Sequence, residues 1–234
     1  MMPLADEIQE LGNRSRSDLD ELYDYYEHTK IAWRVVQLYV KDGRKFKVNN
    51  RATGTAFDEA SLLGRSQKYI TNNLAVSTFK QITTYFEDYY FGLQRIWLSY
   101  EPRPLSDMPV TFGDVLKAGS IDSLKTDLIH KRLHRKSYDS VSDWFKDGEK
   151  LMNLGRPTVD QIAKLAEMKA SRDVLEHRRG IVDPTYRFKA GIRSRDVIDG
   201  DRVEVPEYYL RDSWTLVKTV TNEITTAAQV KATP

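Results

Sequence analysis

The sequence predicts an all-α fold, a helical bundle with one small β-hairpin before its last helix, forming a single domain over residues 1–234. Three observations carry this. Apolar residues recur three, four or seven apart through most of the chain, the spacing of one helical face. Pro102, Pro104, Pro157, Pro184 and Pro206 stand at the edges of these runs, where a helix tolerates proline. A strand pair is suggested only around Asp199 and Gly200, with Val197 and Ile198 before and Val203, Glu204 and Val205 after.

Taken in order, Ser17 to Val40 is a helix: Leu19, Leu22, Tyr26, Trp33 and Val36 share its spacing, and Asp18, Asp20 and Glu21 give it an acidic first turn. Lys41 to Thr55 is a loop or small hairpin whose Lys41, Arg44, Lys45, Lys47 and Arg51 outnumber the single acid Asp42, a candidate RNA-backbone contact. Residues 1–56 thus form an N-terminal helix and basic loop, and 57–234 the core. Phe57 to Tyr69 is a short helix. Asn73 to Tyr100, with Phe79, Ile82, Phe86, Tyr90, Leu93 and Trp97, is expected to be the longest, central helix. Glu101 to Gly119 reads as a connection. Ser120 starts a helix carrying Ile121, Leu124, Leu128 and Leu133, and Ser140 to Leu154 forms another. Thr158 with Gln161 is a capping box opening a helix that Gly180 closes. Pro206 opens the last helix, striped by Leu210, Trp214, Val217, Thr221, Ile224 and Ala228.

Composition limits the functional classes. The 234 residues are 40% hydrophobic and 30% charged, a folded rather than a disordered balance. The net charge is only +2, so nucleic-acid binding has to come from local patches. The densest is His130 to Lys136, where Lys131, Arg132, Arg135 and Lys136 join two histidines with no acid among them. His130 and His134 are one turn apart, but no acid in the run completes a metal site. The absence of cysteine excludes disulfides and thiol chemistry. The opening MMPLADEIQE lacks the pattern of a secretion signal, and no apolar run has the length of a membrane span, so a cytoplasmic, non-membrane protein is expected and the Asn13 sequon has no role.

Chemistry concentrates in Ser171 to Asp183. Asp173 and His177 lie one turn apart on a helix face, so the carboxylate can orient the imidazole. Arg172 precedes Glu176 by the same turn and can pair with it. Arg172 and His177, five apart, lie roughly 140° around the helix from each other. Either the long arginine curls round the helix, or a second copy of the chain related by a twofold axis supplies the missing partner, which is the reason to expect a homodimer. Glu87 on the central helix is a candidate partner for Arg172 or His177, and Arg178 and Arg179 are candidate phosphate contacts.

Arg172, Asp173, Val174, Leu175, Glu176 and His177, followed by Gly180, resemble the signature of the HEPN superfamily of small helical ribonucleases. The aromatic helix containing YFEDYYFGL upstream and the turn GDRVEVPEYYL leading to a final amphipathic helix are similar to its order of elements. The likeness spans residues 70–230 loosely and RDVLEH specifically. It implies a bundle of the HEPN type and a homodimeric endoribonuclease needing no metal or other cofactor. His177 would act on the 2′-hydroxyl or the leaving oxygen, Arg172 would stabilise the scissile phosphate, and Asp173 would orient the site. It also implies a toxin or antiphage effector, with an antitoxin or defence partner. Some toxins of the superfamily carry a tyrosine two residues after the histidine, where a partner attaches AMP; here Arg179 stands there. Two other readings fit the same residues: a module of this fold that binds RNA or a nucleotide without cutting it, and a dimerisation scaffold in which RDVLEH only packs and forms ion pairs.

Overall fold

The computed structural model describes residues 2–45, 47–195 and 198–233. Among them it contains nine α-helices and no strand: α1 (Leu4–Lys41), α2 (Glu59–Lys68), α3 (Ala75–Tyr100), α4 (Phe112–Ala118), α5 (Ile121–Ser137), α6 (Val141–Met152), α7 (Val159–His177), α8 (Pro184–Ala190) and α9 (Glu207–Ala232). A π-helical turn, Tyr69–Leu74, joins α2 to α3 without a break.

Helices α1, α3 and α9 pack on one another and form the centre of the bundle. Their buried stripes meet as Ile8, Leu11, Leu19 and Tyr26 from α1, Phe79, Ile82, Phe86 and Leu93 from α3, and Leu210, Val217, Val220 and Ile224 from α9. The buried Tyr89 hydroxyl joins α3 to α9, lying 3.1 Å from the Thr221 carbonyl oxygen and 2.8 Å from Thr225 Oγ1. Helix α6 closes one side of this core with Trp144 and Phe145, and α7 lies beside it with Leu165, Ala166 and Met168. A smaller cluster under the C-terminal half of α7 gathers Ala170, Val174, Val182, Tyr186, Ala190 and Val203.

The structure departs from expectation in several elements. The first helix begins at Leu4 rather than Ser17, and its 38 residues make it the longest, ahead of the 26 of α3. Gly12, Asn13 and Ser15 look like a helix break, yet Ile8, Leu11, Ser15 and Leu19 continue one buried face through them. The expected connection Glu101 to Gly119 contains a 3-10 turn, Arg103–Leu105, and then α4, whose Thr111 and Asp114 form a capping box. Helix α8 was not expected; Asp183 caps it and Pro184 occupies its first turn.

Among the described residues the predicted hairpin before the last helix is not found. Val197 lies outside them; Asp201 N closes a turn on the Ile198 carbonyl at 3.0 Å, and the chain at 200–203 bonds to 180–182. Val182 N donates to the Asp201 oxygen at 2.9 Å, Gly200 N to Val182 at 3.0 Å and Val203 N to Gly180 at 2.8 Å, around an isolated bridge between Ile181 and Arg202. This pairing sends Val182 and Val203 into the cluster beneath α7, an apolar gain that a self-paired hairpin around Gly200 would forgo. The basic loop after α1 does turn back, with an isolated bridge between Asn49 and Ala56.

Close crossing of α1 and α9 depends on Gly12. A Cβ there would stand 2.5 Å from Thr225 Oγ1, and Thr225 is held by its bonds to Tyr89 and to the Thr221 carbonyl. Gly12→Ala is therefore expected to destabilise the fold by about 1–3 kcal/mol, despite alanine's better helix propensity. Urea denaturation measures this, and unchanged or increased stability would contradict the crossing described.

Candidate functional site

Helix α7 positions the candidate site, and its two ends are set by local chemistry. At its start Thr158 N donates to Gln161 Oε1 at 2.7 Å and Gln161 N to Thr158 Oγ1 at 3.3 Å, the reciprocal cap expected from the sequence. At its end Arg178 N and Gly180 N both donate to the Val174 carbonyl, at 2.9 and 3.0 Å. The reversal needs Arg179 at φ 55° and Gly180 at φ 84°, and only the glycine adopts such a value without strain.

The RDVLEH residues divide between two faces. Asp173 is half-buried and accepts from Lys169 at 2.9 Å and Arg172 Nη1 at 3.2 Å on one oxygen, and from Lys189 of α8 at 3.3 Å on the other. Burial raises its carboxyl pKa, but the Lys169 and Lys189 ammonium groups outweigh burial and hold it below the ordinary value. Lys169 also lies 3.3 Å from Glu87 of α3. Glu87 is pushed above the ordinary value, chiefly by burial, with Lys169 and Arg172 opposing.

These pairings differ from the expected ones. Asp173 bonds to three cations rather than to His177, because Lys169 and Lys189 reach it with long flexible arms while the imidazole projects from the last turn into solvent. Glu176 pairs with Lys80 of α3 instead of Arg172, and Glu87 pairs with Lys169 rather than with Arg172 or His177. His177, Arg178 and Arg179 are exposed at the helix end. Arg178 pairs with Asp183 at 2.6 Å, whereas His177 makes no ion pair or side-chain hydrogen bond among the described residues.

The basic run on α5 is less bare than its sequence. Lys131 lies 2.9 Å from Asp114, Arg132 donates to the Pro104 carbonyl at 3.1 Å, and Lys136 pairs with Asp139 at 3.0 Å and also with Asp147. Arg135 is exposed without an ion pair among the described residues, and His134 meets the Tyr138 ring edge-on at 5.2 Å. The run sits on α5, which packs on α3 and α4, so the structure does not join it to the end of α7 by any hydrogen bond or ion pair among the described residues.

The most connected polar group of α7 is one that sequence reading passed over. Glu167 is buried, and its Oε1 accepts from Ser171 Oγ at 2.6 Å, Tyr186 OH at 3.1 Å and Arg195 Nε at 2.8 Å, while its Oε2 accepts from Tyr209 OH at 2.6 Å. The Arg195 guanidinium lies 3.7 Å from the Tyr209 ring centroid, donates to Ser171 at 3.1 Å and bonds to the Glu204 carbonyl. Burial, then the Glu167 carboxylate, pushes the Tyr209 phenol well above its usual range. Glu167, Arg195 and Tyr209 line a groove of about 810 Å³ between α7 and α9, where their polar atoms bond to one another. Of the partners of Glu167 only Ser171, four residues on, is at helical spacing; Tyr186, Arg195 and Tyr209 lie 19, 28 and 42 residues away, where no local spacing signals them.

Among the described residues no group of three or more His, Asp or Glu side chains is placed to hold a metal ion, and no helix is long and apolar enough to cross a membrane. The chain matches no protein-family model, no curated protein and no solved structure.

Glu167→Ala strands Arg195 over Tyr209 and should cost about 3–5 kcal/mol in chemical denaturation; a loss under 1 kcal/mol would contradict its role as a hub. Asp173 has a depressed pKa, so its stabilisation is complete above the unfolded-state value near 4 and is lost as pH falls through the folded value. Asp173→Asn should thus cost about 1–3 kcal/mol at pH 7, the difference narrowing below about pH 4. Glu87, with a raised pKa, has the opposite sign: its contribution is greatest at low pH and declines as pH rises, so Glu87→Gln should leave stability at pH 7 unchanged or higher. Denaturation of both variants across pH 3–8 checks the pair of signs.

Proposed function

We propose that the chain is a HEPN-type endoribonuclease whose site is built from the α7 ends of two copies. The observation that supports it best is the exposed His177, free of internal partners among the described residues, on a helix end that also carries exposed Arg178 and Arg179. The Arg172 guanidinium is bonded to Asp173 and its position lies roughly 140° around α7 from His177, a separation that favours drawing the guanidinium and the imidazole at one phosphate from different copies. A twofold-related copy supplies the second half.

In this mechanism one His177 accepts the proton of the 2′-hydroxyl as its oxygen bonds to phosphorus. The phosphorus to 5′-oxygen bond breaks, and the leaving oxygen takes a proton from the second, protonated His177. Arg172 and the flanking arginines offset charge on the phosphate oxygens. The products are a 2′,3′-cyclic phosphate and a 5′-hydroxyl. A role as a toxin or antiphage effector under an antitoxin or other defence partner belongs to the same proposal and rests on the resemblance of RDVLEH.

A second reading, RNA binding without cleavage, is favoured by Asp173. Both its oxygens are taken by cations, which leaves the imidazole without a carboxylate to fix its tautomer.

Incubation of wild type and His177→Ala with end-labelled RNA in EDTA separates them. Cleavage predicts cyclic-phosphate ends from wild type and a loss of at least a hundredfold in the variant, with RNA affinity within a fewfold. Intact RNA with wild type, bound in a salt-sensitive way, would support the second reading. Equal cutting by both would remove His177 from the site.

A further inference from the structure

A second groove, of about 1010 Å³, lies on another side of α7, between α6, the 155–158 connection, α8 and the 3-10 turn Gly191–Arg193. Its lining includes Val159, Phe188 and Ile192, which are 81%, 88% and 89% exposed, together with Phe145, Ile162 and Ala163. Three of the four most exposed large apolar side chains among the described residues, Ile121 being the fourth, thus converge on one depression. Isolated exposed apolar side chains are ordinary on protein surfaces, whereas a contiguous set around a groove marks a binding surface.

The charge around this floor is one-sided. Lys146, Lys150, Arg156 and Lys189 stand on the lining with a single carboxylate, Glu149. That carboxylate is exposed but engaged by the backbone, accepting from Leu154 N at 3.1 Å and Gly155 N at 3.0 Å. Lys146 and Lys189 also lie near Asp143 and Asp173, at 3.2 and 3.3 Å, but Lys150 and Arg156 have no ion pair among the described residues. A complementary occupant is therefore apolar on one face and acidic on its flanks.

The walls also limit its backbone. Apart from the 155–158 connection they are helices and a 3-10 turn whose main-chain groups are bonded internally, and the groove offers no strand edge among the described residues, so an extended peptide would lose hydration of its own amides with few replacement bonds. A helix satisfies its amides itself. We propose that this groove docks an acidic amphipathic helix of a partner protein, with apolar anchors at helical spacing between Phe188 and Ile192 on one side and Val159 on the other. The proposal is independent of any chemistry at His177.

The test uses the full chain and two labelled 18-residue helical peptides that share leucines at i, i+3, i+4 and i+7. One carries glutamate at the remaining positions and the other lysine. Fluorescence anisotropy is expected to show micromolar binding of the acidic peptide and at least tenfold weaker binding of the basic one. Lys150→Glu and the double variant Phe188→Ser, Ile192→Ser should each weaken the acidic peptide at least tenfold with unchanged melting temperature, because all three side chains are exposed. Equal binding of both peptides, or no effect of the variants, would overturn the proposal. So would co-sedimentation with phosphatidylglycerol vesicles in place of peptide binding, or conversion of a dimer to a monomer by the double variant, which would show the groove covered by a second copy.

Discussion

The end of α7 depends on one buried carboxylate. Glu167 draws donors from its own helix, from α8, from the segment before α9 and from α9, through Ser171, Tyr186, Arg195 and Tyr209. Unpaired, such a charge would be costly to bury; with four donors it becomes the point where elements remote in sequence are tied to α7. The cluster of Ala170, Val174, Val182, Tyr186 and Val203 is assembled around the same join, so apolar packing and polar satisfaction support each other. Arg172 and Asp173 follow directly on Ser171, and His177 lies one and a half turns further, on a helix end held in place by this network.

Sequence legibility varied with the range of the interactions. Helices striped every three or four residues were readable, as were the Thr158 cap and the Gly180 stop, because their causes lie within a few residues. The start of α1 was hidden by Gly12, Asn13 and Ser15, residue types that usually break helices, and Gly12 is explained only by Thr225 across the crossing with α9. The Gly200 turn was recognised, but its partner was not: 200–203 bonds to 180–182, a choice made by burial of Val182 and Val203. At the candidate site the helix that carries Arg172, Asp173 and His177 is legible, while the partners of its charged side chains are not. Helical spacing shows what can meet along α7, but Lys80 and Glu87 from α3 and Lys189 from α8 enter from elements whose placement sequence does not specify.

The two faces of RDVLEH therefore carry different duties. Asp173, Lys169 and Glu87 form a partly buried ion-pair chain between α7 and α3, which Lys189 extends to α8; Asp173 is the member whose loss leaves Lys169 and Lys189 without their shared carboxylate, whereas burial offsets what the Glu87 charge contributes. His177, Arg178 and Arg179 project from the helix end, where His177 and Arg179 can approach a phosphate without breaking an ion pair among the described residues and Arg178 would exchange its bond to Asp183. This division separates stability from the proposed chemistry and explains why Asp173, one turn before the histidine, is not its partner in space.

The central functional claim is that His177 meets RNA. The most direct measurement is NMR of the His177 ring protons during titration with a short oligonucleotide whose 2′-hydroxyls are replaced by hydrogen, so that it binds without being cut. The account predicts saturable shifts at His177 and at the backbone amides of Arg178 and Arg179, with His28 unchanged. Shifts confined to the α5 run and the basic loop, with His177 unmoved, would contradict it.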